Sequence, residues 1–125
     1  MPSTVKFFRL YADDDGESHF EELEATMSSV QYAPPAPPLE VSSEPMEAQS
    51  IRWVRFPEHW NDGAHPSPRR QLFILLEGEV EGWTSGGETQ LFKAGDRVLM
   101  EDTTGKGHGA RPINGEALAV MIALE

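Results

Sequence analysis

Short apolar segments recur at regular spacing along the second part of the chain, and each of them ends in a turn signal. The pattern predicts seven strands, over residues 51–56, 71–76, 79–84, 88–92, 97–101, 107–111 and 117–124. Glycine-containing turns separate these segments, at Gly78, 85–87, 94–96, 104–105 and 114–115. No segment of similar length keeps a helical apolar period with end caps, so little helix is expected. Many short strands with regular turns are typical of an all-β sandwich or barrel.

The first 50 residues follow a different pattern. Residues 5–11 and 18–24 predict two strands, and the acidic turn between them predicts an N-terminal hairpin. Four prolines within residues 34–38 then remove backbone donors and exclude a helix. Residues 27–49 are therefore predicted to form an extended Pro-rich arm without regular structure, which wraps the body of the protein or crosses to a partner. The apolar anchors of such an arm are Tyr32, Leu39, Val41 and Met46.

Two of the predicted strands, within 72–76 and 117–124, are apolar on both faces. Strands of this kind are covered on both sides, which a small chain cannot do alone, so we expect a homodimer. The length of 125 residues and the apolar content of 38% allow one core. The expected organisation is one domain over 1–125, with N-terminal strands in 1–26, the arm in 27–49 and a barrel core in 50–125.

Composition narrows the range of partners. The net charge is −11, whereas proteins that bind nucleic acid or anionic membranes need clustered Lys and Arg. Residues 1–50 hold 10 acids and 2 bases and residues 51–125 hold 11 and 8, so any anion-binding chemistry belongs to the second part. The absence of cysteine excludes disulfides and a thiol nucleophile. The N-terminus has no signal-peptide pattern, so a cytoplasmic location is expected.

One segment, residues 63–84, resembles the first cupin motif, in which a glycine precedes two histidines one residue apart, a glutamate and a closing glycine. With Gly78 aligned to the closing glycine, His65 takes the position of the first histidine. Ser67 then replaces the second histidine, and Gln71 replaces the glutamate.

A later segment, residues 95–108, resembles the second cupin motif, with Gly95, Asp96 and His108 matching in kind and Glu101 in place of a proline. Residues 15–20, 68–71 and 101–108 are also similar to small bacterial cupins with unassigned function. The resemblance covers most of the chain. It implies a jelly-roll barrel (a double-stranded β-helix) around one small-molecule pocket.

The resemblance also implies a divalent metal, Zn, Ni, Fe or Mn, held by His65 and His108. Serine and glutamine are poor ligands at the other two positions, and structural or catalytic sites need three or four good ones. The favoured interpretation is therefore a site without a metal. His19 becomes a third ligand only if the N-terminal hairpin lies over the mouth of the barrel.

Alternating residues from His65 to Phe73 share one face if this segment is extended. The resemblance implies that this face lines the inside of the barrel. The predicted ligand-binding residues are Ser67, Arg69, Gln71 and Phe73, and Arg69 is suited to grip a carboxylate or phosphate. The alternative for Arg69 is an ion pair with carboxylates at the barrel rim. Trp53, Trp60 and Trp83 are expected to serve packing or a dimer interface.

Candidate catalytic residues are His65, His108 and Gln71, with Glu101 or Asp102 to orient a histidine. An imidazole is suited to acid and base catalysis near neutral pH, although His108 also fits a purely structural role at a Gly-rich turn. Two functions stay open. The first is non-catalytic binding of a small polar or anionic molecule in the barrel, and the alternative is a small-molecule enzyme of isomerase, lyase or oxygenase type, with or without a metal.

Overall fold

The structure, a computed structural model, describes residues 3–125. It contains eight strands: β1 (Thr4–Ala12), β2 (Ser18–Val30), β3 (Leu39–Ser42), β4 (Ala48–Phe56), β5 (Gln71–Thr84), β6 (Thr89–Lys93), β7 (Arg97–Met100) and β8 (His108–Leu124). The described residues include no helix, which confirms the all-β prediction. Accordingly, none of them forms a helix long and apolar enough to cross a membrane.

The strands form one mixed sheet in the order β3-β2-β1-β7-β5-β8-β4, with β6 paired to β5. Strands β1 and β7 are parallel, and all other pairs are antiparallel. The long strands β5 and β8 run together from the pair Gln71 and Ala123 to the pair Thr84 and His108. This pairing fixes where His108, the first residue of β8, lies relative to β5.

Both long strands pass through positions where the sequence pattern predicts a break. Gly78 and Asn114 adopt positive φ angles of 84° and 60°, and the β5–β8 register shifts around Glu77. A residue in the left-handed region bends a strand while its neighbours keep their ladder bonds. A Cβ at Gly78 would meet the carbonyl oxygen of Glu116 at 2.7 Å, so only glycine permits the approach of the two strands there.

The Pro-rich arm has more regular structure than the sequence predicts. Strand β2 continues to Val30, and β3 pairs with its last four residues, because Met27 and Val30 lie opposite Ser42 and Leu39. The expectation that apolar anchors hold the arm against its own barrel is also wrong, since Tyr32 is 68% exposed and Leu39 is 52% exposed. Crossing of the arm to a partner stays a prediction.

The core lies between the inner faces of the strands, and alternating positions build it. Phe73 and Leu75 of β5 are buried together with Val98 and Met100 of β7. Burial of one such side chain contributes roughly 1.5–3 kcal/mol. At one side of the core, Phe8, Phe20 and Phe92 meet edge to face.

Candidate functional site

The inner faces of the strands and the β4–β5 connection line a half-open cavity of about 360 Å³, which falls in the size range of small-molecule sites. Its walls are mostly apolar, and the aromatic side chains among them are Phe20, Phe56, Trp60, Phe73 and Phe92. Five side chains with polar or charged groups also line it: Arg55, Asp62, His65, Gln71 and His108. The cavity therefore combines an apolar body with a small number of polar groups.

The structure brings together the two histidines that the motifs single out. His65 and His108 exchange two backbone hydrogen bonds of 3.0 Å, and their ring centroids lie 5.1 Å apart. The segment before Gln71 is thus attached to the first residue of β8, and both rings line the same cavity.

A buried carboxylate holds the His108 ring. Asp102 is 0% exposed, and its Oδ2 lies 2.6 Å from Nδ1 of His108. Its Oδ1 accepts a hydrogen bond of 2.7 Å from the Ser67 hydroxyl. Because a carboxylate only accepts, Nδ1 of His108 donates, and in the neutral ring Nε2 keeps its lone pair. Of the two acids proposed to orient a histidine, Asp102 does so.

The second histidine is bonded at both nitrogens. Nδ1 of His65 lies 2.9 Å from the carbonyl oxygen of Pro66, and Nε2 contacts the carboxylate of Asp62. Both partners are acceptors, so the protonated ring, which donates from both nitrogens, satisfies both contacts. The bond to the Pro66 carbonyl, followed by the bond to Asp62, raises the pKa of His65 although partial burial lowers it.

The side chain of Gln71 has hydrogen-bonding capacity to spare. Its amide nitrogen lies 3.9 Å from the Met100 sulfur, and this is its one side-chain hydrogen bond among the described residues. A thioether is a weak acceptor. Phe73, two residues further along β5, is buried and forms part of the cavity wall.

Two other predicted ligand-binding residues do not line the cavity. Ser67 is buried behind the site and bonds Asp102 through its hydroxyl and its backbone N–H. Arg69 is exposed and donates to Gln49. The expectation of one strand face from His65 to Phe73 is wrong before Gln71, because Pro66 and Pro68 lack the N–H groups that a ladder needs.

Other residues that line the cavity were not predicted from the sequence as site residues. Trp60, expected to serve packing or a dimer interface, lines the cavity, and its ring centroid lies 5.3 Å from that of Phe56 in an edge-to-face contact. Asp62 lies in the same β4–β5 connection, and its second oxygen accepts from the backbone of Ala110 at 3.0 Å. His19 is not part of the lining, and its Nε2 lies 2.7 Å from a carboxylate oxygen of Asp13.

The donor set does not fit a divalent metal. Within residues 3–125 no group of three or more His, Cys, Asp or Glu is placed to hold an ion. Both nitrogens of His65 already donate hydrogen bonds, which leaves Nε2 of His108 as the single imidazole lone pair facing the cavity. Zn, Ni, Fe and Mn need more ligands than this.

No family model matches the chain, and no curated protein matches it. Among solved structures, it is similar to a Cupin 2 conserved barrel domain protein from Salinispora arenicola. The two share 17% identity over 81% of this chain and 76% of that one, with a TM-score of 0.50. The chain has the cupin fold.

Two further structures are similar to this cupin barrel at lower TM-scores. The cupin domain of Cnp3 from Schizosaccharomyces pombe shares 13% identity over 99% of this chain and 84% of that one, at 0.47. A putative ethanolamine utilization protein, EutQ, from Salmonella typhimurium shares 14% identity over 99% of this chain and 95% of that one, with a TM-score of 0.44. Identities this low transfer no function to this chain, so the function has to be argued from the site.

Proposed function

We propose that this protein binds a small molecule inside the cupin barrel, with His108 and Gln71 as its polar contacts. The observation that carries the proposal is a cavity of about 360 Å³ in which the Gln71 amide and Nε2 of His108 retain unused hydrogen-bonding capacity. A few polar atoms with unused hydrogen-bonding capacity in a mostly apolar cavity are the contacts that orient a bound small molecule.

The lining favours a neutral ligand with an apolar body over the anionic one suggested by the sequence. His65 is neutralised by Asp62, and Arg55 lies 3.1 Å from Glu116. Arg69, the expected anion contact, is outside the lining. The remaining walls are aromatic or aliphatic, apart from the few polar groups already described.

A second candidate, an enzyme of isomerase or lyase type, is favoured by one specific observation. His108 is oriented by a buried carboxylate with Nε2 facing the cavity, which is the arrangement of a general base. In this function His108 accepts a proton from a bound substrate, and Asp102 holds the resulting imidazolium.

The binding function is tested by mass spectrometry of the natively purified protein, followed by thermal shifts with a library of small fragments. We expect fragments that stabilise the wild type and fail to stabilise Ala110→Leu, which fills the cavity from β8. Arg69→Ala is the matched control and should keep the response. Absence of a co-purified molecule, together with fragment responses equal in the wild type and Ala110→Leu, would falsify the proposal. Turnover of a hit that disappears in His108→Gln supports the enzyme instead.

A further inference from the structure

The chemistry of the ligand can be narrowed from the way the His108 ring is held. Its Nδ1–H is bonded to Asp102, and the Ser67 hydroxyl donates to the other oxygen of the same carboxylate. The ring therefore cannot rotate to present Nδ1 without leaving a buried carboxylate short of a donor. His108 lines the cavity, and within residues 3–125 its second ring nitrogen, Nε2, has no hydrogen-bond partner.

The tautomer of His108 decides what its second nitrogen can do. Because Nδ1–H is donated to Asp102, the neutral ring keeps its lone pair on Nε2, and this nitrogen accepts a hydrogen bond.

The walls set the shape of the rest of the ligand. Phe20, Phe56, Phe73, Phe92 and Trp60 line the cavity. An apolar cavity of about 150 Å³ is enough to hold benzene. The 360 Å³ present here therefore accommodates a ring together with substituents.

We propose that the ligand of this cavity is a neutral, ring-sized apolar molecule with one hydroxyl or N–H group, which donates a hydrogen bond to Nε2 of His108. A phenol is the simplest example. The Gln71 amide offers the second polar contact for a further substituent. This inference rests on the binding function proposed above and specifies its ligand class.

Three matched probes test it: phenol, which donates; anisole, which has the same ring but only accepts; and toluene, which does neither. Calorimetric titration of the wild type at about pH 8 should show phenol binding roughly threefold to tenfold more tightly than the other two, as one neutral hydrogen bond gives. His108→Phe should bind toluene as the wild type does and lose the preference for phenol. Arg69→Ala, outside the cavity, should keep it.

A second measurement needs no substitution in the site. The ¹⁵N resonances of His108 report which nitrogen carries the proton, and phenol should shift the Nε2 signal whereas toluene should not. Equal affinities for phenol and anisole, or tighter binding of anisole, overturn the inference and leave the binding function standing. Failure of all three probes to bind overturns the inference as well. The binding function is then judged separately, by whether mass spectrometry finds a co-purified molecule.

Discussion

Gly107 lies directly against the backbone of His65. A Cβ at position 107 would sit 2.0 Å from the carbonyl carbon of His65, and the φ angle of Gly107 is +77°. This approach allows the neighbouring residue, His108, to exchange backbone hydrogen bonds with His65. One glycine in the second motif therefore determines whether the two histidines meet.

Replacement of Gly107 by alanine should separate the two histidines and destabilise the protein. Contact with backbone atoms cannot be relieved by a side-chain rotation, so we expect a loss of about 3 kcal/mol or more in the free energy of unfolding. Gly63→Ala is the matched control, because φ is +66° and nothing lies within 4 Å of its Cβ. The free energy of unfolding of Gly63→Ala should fall by only about 1–2 kcal/mol, the cost of placing alanine in the left-handed backbone region. Urea denaturation measures both, and equal losses would contradict the proposed contact.

The glycine framework explains why the fold could be predicted and the site only in part. Turns at Gly78 and Gly95 mark both cupin motifs in the sequence, so the barrel follows from local signals. Strand parity, in contrast, assumes an unbroken ladder, and Pro66 and Pro68 break it before Gln71. Arg69 consequently faces outward, a result that alternation alone could not show.

The partners of the histidines were harder still to predict. Asp102 was one of two adjacent acids, and only the turn between β7 and β8 decides that it faces His108 while Glu101 bonds two arginines. Asp62 and Trp60 come from the β4–β5 connection, where no periodicity applies. Long-range contacts of this kind depend on the whole barrel.

Glu101 should contribute stability that is lost in acid. Burial alone would raise the pKa of Glu101, but hydrogen bonds from Arg70 and Arg9, both 2.6 Å, together hold it below its usual value of 4.5. A carboxylate with a depressed pKa stabilises the fold above pH 4.5, and this contribution disappears as the pH falls below that value. Glu101→Gln should cost about 2 kcal/mol at pH 7 and progressively less below pH 4.5.

Urea denaturation across this range measures the difference between wild type and Glu101→Gln. Glu116→Gln is the control, because Glu116 forms only an exposed ion pair with Arg55 and should change stability by less than about 1 kcal/mol. A difference between wild type and Glu101→Gln that stays constant down to pH 3 would show that the two arginine bonds do not lower the pKa.

His65 should titrate above the usual imidazole value of 6.5, since the Pro66 carbonyl and Asp62 both accept from its protonated ring. In Asp62→Asn the pKa of His65 should fall part of the way back, because the bond to the Pro66 carbonyl remains. NMR of the ring protons against pH measures it in the wild type and in Asp62→Asn. A His65 pKa unchanged by Asp62→Asn would show that the contact with Asp62 does not raise it.

The outer face of the sheet should mediate self-association. On the edge strand β4, Trp53 is 73% exposed and Ile51 is 63% exposed. They lie opposite Val120 and Ile122 of β8, and directly opposed residues share a face. We expect light scattering at micromolar concentration to give the mass of two chains, and Trp53→Lys to give the mass of one.

Leu91→Lys is the control for this face, because Leu91 is an exposed apolar residue on β6 and should leave the dimer intact. A wild type that is monomeric under the same conditions would contradict the homodimer expected from the sequence.

Metal binding should be weak in the wild type and should improve in a defined order. Gln71→Glu restores the carboxylate of the first cupin motif and adds a ligand to the lone pair on Nε2 of His108, so affinity for Zn²⁺ should rise at least about tenfold. His65 can join only by giving up its bond to Asp62, so Asp62→Asn in the Gln71→Glu background should raise the affinity again. Calorimetric titration with Zn²⁺ and Mn²⁺ measures each step. If the wild type instead binds either ion tightly and loses it in His65→Ala, the hydrogen bonds of His65 give way to a metal, and the site is a metal centre after all.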